Sequence, residues 1–301
     1  MDKKNLRTGV LAALAAALIG SAWQLASRHG VTTTLGPMEL VLLRYGIPAL
    51  LLAPLWLGKG LIPPKAPRLA LVLLVIGGGL PIGLLVLAGA RWAPASHMGI
   101  LMASSLPLFT AIGAWLHKRQ KVGGIRLLGL GCIAAGIALF AAESFRGGSL
   151  DWRGNLLFLA AAVLWTVHSL AFAHCGFTPW QGAAFVNGWS SLLLLPLLVT
   201  VGAPRLLTAP WTDVALQAAM QGVVAGLLGL VAYLLAVERL GAARASLSAA
   251  LVPVLTTLGA AAWMNEPITN EVLLALSLVV PGIVLASGAV RWPARAMRPR
   301  S

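Results

Sequence analysis

Long apolar stretches, separated by short polar ones, follow one another along almost the whole chain. Each stretch is close to the roughly 20 residues that an α-helix needs to cross the hydrocarbon core of a bilayer. The pattern predicts ten spans, at residues 8–27, 36–58, 68–91, 95–116, 124–143, 154–173, 178–201, 211–236, 243–264 and 269–291. We therefore expect an all-α, multi-pass integral membrane protein.

The composition supports this interpretation. Hydrophobic residues make up 59% of the 301 positions and charged residues only 10%, and the mean hydropathy is +0.88. A soluble domain has too little interior to hide so much apolar surface, whereas a bilayer requires it. Because the loops between the predicted spans are short, there is no room for a separate soluble catalytic domain.

The second half of the chain repeats the first at an offset of 145 to 146 residues. The pairs that carry the register are Gly83/Gly229, Pro107/Pro253, Gly113/Gly259 and Gly136/Gly282. A unit with an odd number of spans must cross the membrane in opposite directions in its two copies, and inverted repeats are typical of secondary transporters. We predict two inverted five-helix repeats, residues 1–146 and 147–301, that form one transmembrane unit.

Four of these repeated residues are candidate hinge or kink positions. Pro107 and Pro253 fall inside predicted spans, where proline removes a backbone hydrogen bond and bends the helix. Gly83 and Gly229 lie on spans rich in glycine, which lets helix backbones approach closely. For the glycines, bending during alternating access and simple helix packing both remain open.

The charge of the chain, 22 Lys and Arg against 8 Asp and Glu, gives a net value of +14. In a soluble protein this excess would indicate a nucleic-acid partner. Here most of the cations lie before the first span, after the tenth, and in the loops after even-numbered spans. The positive-inside rule then places both termini in the cytoplasm. The partner implied is the lipid bilayer, and no nucleic acid is expected.

Several segments together resemble a known family over nearly the whole length of the chain. They are the Leu-Leu-Arg-Tyr segment at 42–45, the span containing 107–113, and the second-half segments 249–255 and 265–269. These resemble EamA-type members of the drug/metabolite transporter superfamily. The resemblance implies a permease of the bacterial inner membrane, often an exporter of amino acids or other small metabolites, aromatic and hydrophobic amino acids included. One departure is that Gln120 occupies the first-half position matching Glu266.

Polar residues inside a bilayer are costly, so each one is a functional candidate. Arg44 lies several residues inside the second predicted span. It can bind a substrate carboxylate through two hydrogen bonds, or anchor neighbouring helices and reach toward the helix end. The sequence leaves both roles open.

His97 and His168 are the histidines predicted to lie within spans. Either can titrate near neutral pH and couple transport to protons, and either can instead be a neutral histidine bonded between helices. Trp165 lies one turn from His168, while Trp23 and Gln24 occupy the repeat-related positions of residues 168 and 169. We therefore place these two spans against a midplane cavity.

The predicted cavity lining is neutral, polar and aromatic apart from Arg44. The candidate substrate-binding residues are Trp23, Gln24, Arg44, His97, Ser104, Trp165, His168, Asn187, Trp189, Gln217, Gln221, Tyr233 and Ser248. Such a lining suits a zwitterionic or uncharged organic solute better than a metal ion, and we expect neither a metal nor a cofactor. All eight acidic residues map to loops or helix ends, which favours facilitated export or exchange, with histidine-mediated proton coupling open.

The sequence thus predicts a secondary transporter that exports small organic metabolites, amino acids including aromatic ones among them, by alternating access. A broad-specificity drug/metabolite efflux permease is the alternative within transport. An intramembrane enzyme using His97 or His168 with serines is a different class, but the paired carboxylates, zinc spacing and Ser–His motif of such enzymes are missing. A membrane scaffold is the third alternative. Substrate identity, direction, energy coupling and oligomeric state stay open; a monomer is consistent with the pattern.

Overall fold

The structure is a computed structural model that describes residues 3–58, 63, 66–118, 122–146 and 151–286. All regular structure in these residues is helical. We number the helical segments α1 (Lys3–Thr32), α2 (37–58), α3 (Arg68–Trp92), α4 (95–118), α5 (Gly124–Arg146), α6 (Asp151–Cys175), α7 (Pro179–Val201), α8 (Trp211–Leu240), α9 (242–264) and α10 (Asn270–Ala286). A single helical turn, Arg205–Thr208, lies between α7 and α8.

Eight of these segments are long and apolar enough to cross a membrane: α1 and α3 to α9. The expectation of an all-α protein with several spans is therefore confirmed. The segment α2 is broken into shorter pieces, and α10 has 17 residues among those described. Residues 287–291 of the predicted tenth span lie outside the described residues, so the count of ten spans stays a prediction.

The segment α2 changes its helical form twice. It begins as an α-helix at Pro37–Val41, widens to a π-helix at Leu42–Gly46 and narrows again at Ile47–Leu51. After Leu52 the chain resumes as Ala53–Gly58. A π-helical turn shifts the side chains that follow it around the helix axis, and such turns are frequent at functional sites. In this turn Arg44 and Tyr45 are both buried.

The helix α3 is interrupted at Gly79, which has extended backbone angles. Two side chains from other helices bind backbone groups at the break. The Tyr45 hydroxyl donates to the Gly79 carbonyl, and the Ser190 hydroxyl accepts from the Leu80 N–H at 3.1 Å. These contacts replace part of the missing helical hydrogen bonding, because buried backbone groups are unfavourable without partners.

The two predicted kink prolines follow irregular turns. A π-helix at Gly99–Ala103 precedes Pro107 in α4, and a 3₁₀ helix at Ser246–Ala250 precedes Pro253 in α9. Since proline has no N–H to donate to the preceding turn, that turn cannot keep regular α-helical bonding. The helix α8 likewise contains a long π-helical stretch, Ala218–Gly229.

The helices pack in a pattern that positions the centre of the molecule. The helix α1 packs against α8 and α9, while α6 packs against α3 and α4. The segments α2 and α7 contact each other. Glycines permit some of the closest approaches: a Cβ on Gly83 would lie 2.6 Å from the Tyr45 hydroxyl, and one on Gly229 would lie 2.7 Å from Ile19 Cγ2. Both candidate hinge glycines therefore also serve close packing.

The helices α5 and α10 form a pair of their own. A Cβ on Gly129 would lie 2.4 Å from the Ala286 nitrogen and 2.5 Å from the Gly282 carbonyl oxygen. Neighbouring leucines of the pair, Leu127, Leu128, Leu273 and Leu274, are exposed. Exposed leucines beside a close helix contact are what a lipid-facing pair requires.

Candidate functional site

A cavity lies among α1, α2, α4, α6, α8 and α9. The volume of the cavity is about 100 Å³. Small and aliphatic side chains form most of its wall. Its polar and aromatic lining residues are Trp23, Gln24, Arg44, Trp165, Tyr233 and Ser248, and all six belong to the set predicted from the sequence. The candidate hinge Gly229 also lines it.

Arg44 is the one charged side chain among the described lining residues. It is 5% exposed, and its Nε and Nη1 atoms have no hydrogen-bond partner among the described residues. Its guanidinium carbon lies 4.3 Å from the centre of the Trp23 ring and 5.7 Å from that of Tyr45. Cation–π contacts at these distances hold the guanidinium in position and leave Nε and Nη1 available as donors.

The acid closest to Arg44 in sequence, Glu39, is occupied elsewhere. Its carboxylate accepts the Gly36 N–H at 3.0 Å, in the cap of α2, and the Arg205 N–H at 3.2 Å. Among the described residues, no carboxylate makes an ion pair with Arg44. The guanidinium therefore faces the cavity without a counter-ion from the described chain.

Two predicted glutamines lie behind Trp23 rather than in the cavity wall. The Trp23 Nε1–H donates to Gln221 Oε1 at 2.8 Å. Gln221 Nε2 donates to Ser27 Oγ at 3.1 Å and to Gln217 Oε1 at 3.2 Å, and Gln217 Nε2 donates to the Ala26 carbonyl at 2.9 Å. This chain of bonds ties α1 to α8 and fixes the Trp23 ring that covers Arg44.

The opposite wall is aromatic. The Trp165 ring lies 5.0 Å from that of Tyr233 and 5.1 Å from that of His168, measured between centres. The Tyr233 hydroxyl is 2.6 Å from Ser169 Oγ. His168 is fully buried behind Trp165, with Nδ1 at 3.0 Å from the Leu74 carbonyl and Nε2 without a partner. It supports the wall without being among the described lining residues.

Four predicted site residues lie away from this cavity. His97 Nδ1 is 3.0 Å from Asn155 Oδ1, and Asn187 Nδ2 donates to the carbonyls of Ala183 and Gly226. Ser104 is buried, and its hydroxyl has no partner. Trp189 lines a separate apolar pocket of about 310 Å³ between α3 and α7. None of the four is among the described residues that line the cavity.

Sequence reasoning missed an ion pair near one end of the cavity. Arg28 Nε lies 3.2 Å from Glu266 Oε1, and Arg28 Nη1 donates to the Ala90 carbonyl at 2.6 Å. The Ala95 N–H donates to Glu266 Oε2 at 3.0 Å. The pair therefore ties the ends of α1 and α3 to the start of α4 and the loop between α9 and α10. The single signal in the sequence was that Glu266 has no acidic counterpart at Gln120.

The Arg28–Glu266 ion pair and the basic α8–α9 turn lie at opposite ends of the cavity. On α1, Gln24 is the last lining residue, and Arg28 follows one turn later. On α9, the lining begins at Ala245, directly after Arg244. The cavity thus reaches the α8–α9 turn at one end and meets bonded polar side chains at the other.

The sequence of the chain is similar to a known transporter family and to a known protein. The model of the EamA-like transporter family matches residues 7–142 and 152–288. The two matches begin at residues 7 and 152, within one residue of the offset shared by the Gly and Pro pairs noted in the sequence. A relative, the uncharacterized transporter YvbV of Bacillus subtilis (strain 168), is 24% identical over 212 residues. That alignment covers 66% of this chain and 65% of the relative's length.

A solved structure has the same fold. It is titled only as the crystal structure of a protein, and it matches with a TM-score of 0.64 at 20% sequence identity. The match covers 93% of this chain and 95% of that one.

Proposed function

Because this chain belongs to the EamA-like transporter family, whose members are membrane transporters, we propose that it exports small organic metabolites, aromatic and other amino acids among them. The observation that carries the proposal is the cavity, in which an unpaired buried Arg44 lies between aromatic and aliphatic walls. A buried polar group without a partner is unfavourable, and binding sites are where such groups are found.

We also propose that the chain is built from two inverted five-helix repeats. Three observations support the proposal. The family model matches twice, starting at residues 7 and 152. The irregular turns 99–103 and 246–250 fall at nearly equivalent positions of the two halves. The main contacts are also equivalent in the two halves. The first helix of the first half, α1, packs on α8 and α9, and the first helix of the second half, α6, packs on the corresponding helices α3 and α4.

The difference between the two ends of the cavity supports transport by alternating access. The Arg28–Glu266 pair and the Gln217–Gln221 bonds hold one end closed. The other end lies beside the basic α8–α9 turn, which the positive-inside rule assigns to the cytoplasm together with both termini. We propose that the structure represents the state closed to the outside of a bacterial inner membrane. Export then requires the ion pair to separate while α4 and α9 approach each other at the opposite end.

The second candidate function is an efflux permease for amphipathic drugs. The largely aliphatic wall of the cavity favours it, because apolar walls discriminate weakly between apolar ligands. Among such drugs, lipophilic cations should bind poorly, because the positive charge of Arg44 repels them. A cationic competitor therefore separates the two candidates.

Counterflow into proteoliposomes tests the proposal. Labelled tryptophan, phenylalanine, leucine and lysine are offered to vesicles preloaded with the unlabelled compound and lacking an ion gradient. We expect saturable flux of the aromatic and aliphatic compounds.

The matched control is Gly20→Leu. Gly20 lines the cavity, and a Cβ placed on it meets nothing within 4 Å. A leucine there fills the cavity without disturbing helix packing, so it should abolish flux in a protein that still purifies as a monodisperse species. Flux equal to that of empty liposomes for every compound would contradict amino-acid export.

A further inference from the structure

We propose that the preferred substrates of this cavity are apolar organic monoanions, with one carboxylate bound by Arg44, rather than zwitterions or cations. This inference rests on the proposed function and ranks its substrates, with zwitterionic amino acids carried less efficiently than anions of the same size. It is carried by the charge balance of the cavity, by the free donors of Arg44 and by the shape of the surrounding walls.

The charge balance comes first. Among the described lining residues, Arg44 has no acidic neighbour and no second cation. The carboxylate of Glu39 already accepts two backbone N–H groups, and Glu266 is paired with Arg28 one turn beyond the cavity. Arginine remains protonated in proteins. The described lining of the cavity therefore has one uncompensated positive charge, which a single carboxylate neutralises.

An amino acid brings a second charge that this cavity does not compensate. Its ammonium group would enter a poorly hydrated space containing a cation and, among the described lining, no carboxylate. Repulsion between like charges is strong where the effective dielectric constant is low, and burying a charge without a partner is unfavourable. Ser248 and Tyr233 supply only neutral hydroxyls. A zwitterion thus loses part of what its carboxylate gains, whereas an acid with a neutral substituent does not.

The donors of Arg44 are arranged for a ligand. The Trp23 ring covers one face of the guanidinium, and the Trp23 indole is itself fixed by its bond to Gln221. The N–H groups lie in the guanidinium plane, and those on Nε and Nη1 remain available because these two atoms have no partner in the described chain. Arg–carboxylate bonds formed in that plane are among the strongest hydrogen bonds in proteins.

The remaining wall selects an apolar body. Met102, Leu106 and Leu230 face the cavity together with Trp165. Opposite them, Gly20 leaves space that a side chain would fill. A carboxylate at Arg44 therefore extends its substituent into an aliphatic and aromatic space. The substrate class is an aromatic or branched aliphatic monocarboxylate, or an amino acid whose amine is acylated.

The test uses four compounds with one indole ring and different charges: N-acetyltryptophan (anion), N-acetyltryptophanamide (neutral), tryptophan (zwitterion) and tryptamine (cation). Counterflow is measured at pH 7.5 in wild-type proteoliposomes and in the Arg44→Gln and Arg44→Lys variants. We expect wild-type kcat/KM to be about tenfold higher for the anion than for its amide, as a charge-assisted pair implies. Arg44→Gln should reduce that ratio to about one, chiefly by lowering kcat/KM for the anion. Arg44→Lys should retain part of the preference.

Equal rates for the anion and the amide in the wild type would overturn the inference while leaving transport established. A preference for the anion that persists in Arg44→Gln would overturn the role of Arg44. If no compound is transported, the proposed function fails separately. Calorimetric titration of the purified protein with the same four compounds then still decides the anion preference. Tighter binding of N-acetyltryptophan than of its amide, lost in Arg44→Gln, would support it, and equal affinities would refute it.

Discussion

At the scale of single residues, the site combines side chains that line the cavity with side chains that hold those in place. Arg44 and Trp165 face the cavity, whereas Gln221 and His168 lie behind the wall and bond to it or stack on it. The sequence identified all four as polar or aromatic residues in spans. It did not separate the two groups, because periodicity within one helix does not reveal which neighbouring side chain covers another.

His168 illustrates the distinction and gives a prediction. It is fully buried, its Nδ1 contacts the Leu74 carbonyl, and no described carboxylate faces it. We therefore expect a structural role. His168→Gln should lower the midpoint of thermal unfolding, in keeping with the roughly 1–3 kcal/mol lost when a buried hydrogen bond is removed. The pH profile of counterflow between pH 5.5 and 8 should keep its shape, and a flattened profile would instead assign His168 to proton coupling.

At the scale of helices, the interface between α3 and α6 depends on glycine. A Cβ on Gly77 would lie 2.4 Å from the Leu164 carbonyl oxygen and 2.5 Å from the His168 nitrogen. These neighbours are backbone atoms, so a rotamer change cannot relieve the contact. The helices must move apart, and close packing responds poorly to such displacement.

Gly77→Ala should accordingly destabilise the protein by about 1–3 kcal/mol, the usual cost of overpacking. Thermal unfolding in detergent measures the effect. Gly131→Ala on α5 is the matched control, since a Cβ there meets nothing within 4 Å, and it should leave the midpoint unchanged or raise it slightly. Similar midpoints for both variants would show that the α3–α6 contact tolerates separation.

The Arg28–Glu266 pair acts between elements, because it ties α1 and α3 to α4 and the α9–α10 loop. Glu266→Gln removes the charge while keeping an acceptor, so the end closed by the pair should open more often. Cysteine at position 27, where Ser27 is fully buried at that end, reports the change. In a background without Cys132 and Cys175, an impermeant maleimide should label it several-fold faster when Glu266→Gln is present.

Asp213→Asn is the control for that experiment. Asp213, at the start of α8, accepts a hydrogen bond from the Thr34 hydroxyl at 2.8 Å just after the end of α1, outside the ion pair. Its substitution should leave the labelling rate of the cysteine at position 27 unchanged. Equal acceleration by both substitutions would indicate a general loosening of that surface, and no acceleration by Glu266→Gln would show that the pair does not control closure.

At the scale of the whole molecule, apolar stretches predicted most of the helices, because burial in lipid depends on length and hydropathy alone. The predicted span 154–173 lies within α6 at Asp151–Cys175. The glycine-rich spans were candidate bends at Gly83 and Gly229, but the position and form of the interruptions were not predicted: the break at Gly79 and the π-helix at Ala218–Gly229 depend on bonds and contacts from distant helices. The Arg28–Glu266 pair was missed for the same reason, since its members lie 238 residues apart.

Orientation in the membrane is the prediction at this scale. The charge bias places Lys3 in the cytoplasm and Thr33, in the loop after α1, outside. Impermeant maleimide added to intact cells should label Thr33→Cys and should reach Lys3→Cys only after lysis. The reverse pattern would invert the topology and assign the end of the cavity beside Arg244 to the outside.

The empty space beside Gly20 has a consequence for how this protein can change. Position 20 lies on a cavity wall where added atoms meet no neighbour, so alanine and valine there would narrow the chamber in graded steps, and leucine would fill it, at little risk to folding. Most positions in a packed interior do not allow such variation. Natural variants or a directed library can therefore change the volume available to a solute through a single codon, while Arg44 is left unchanged.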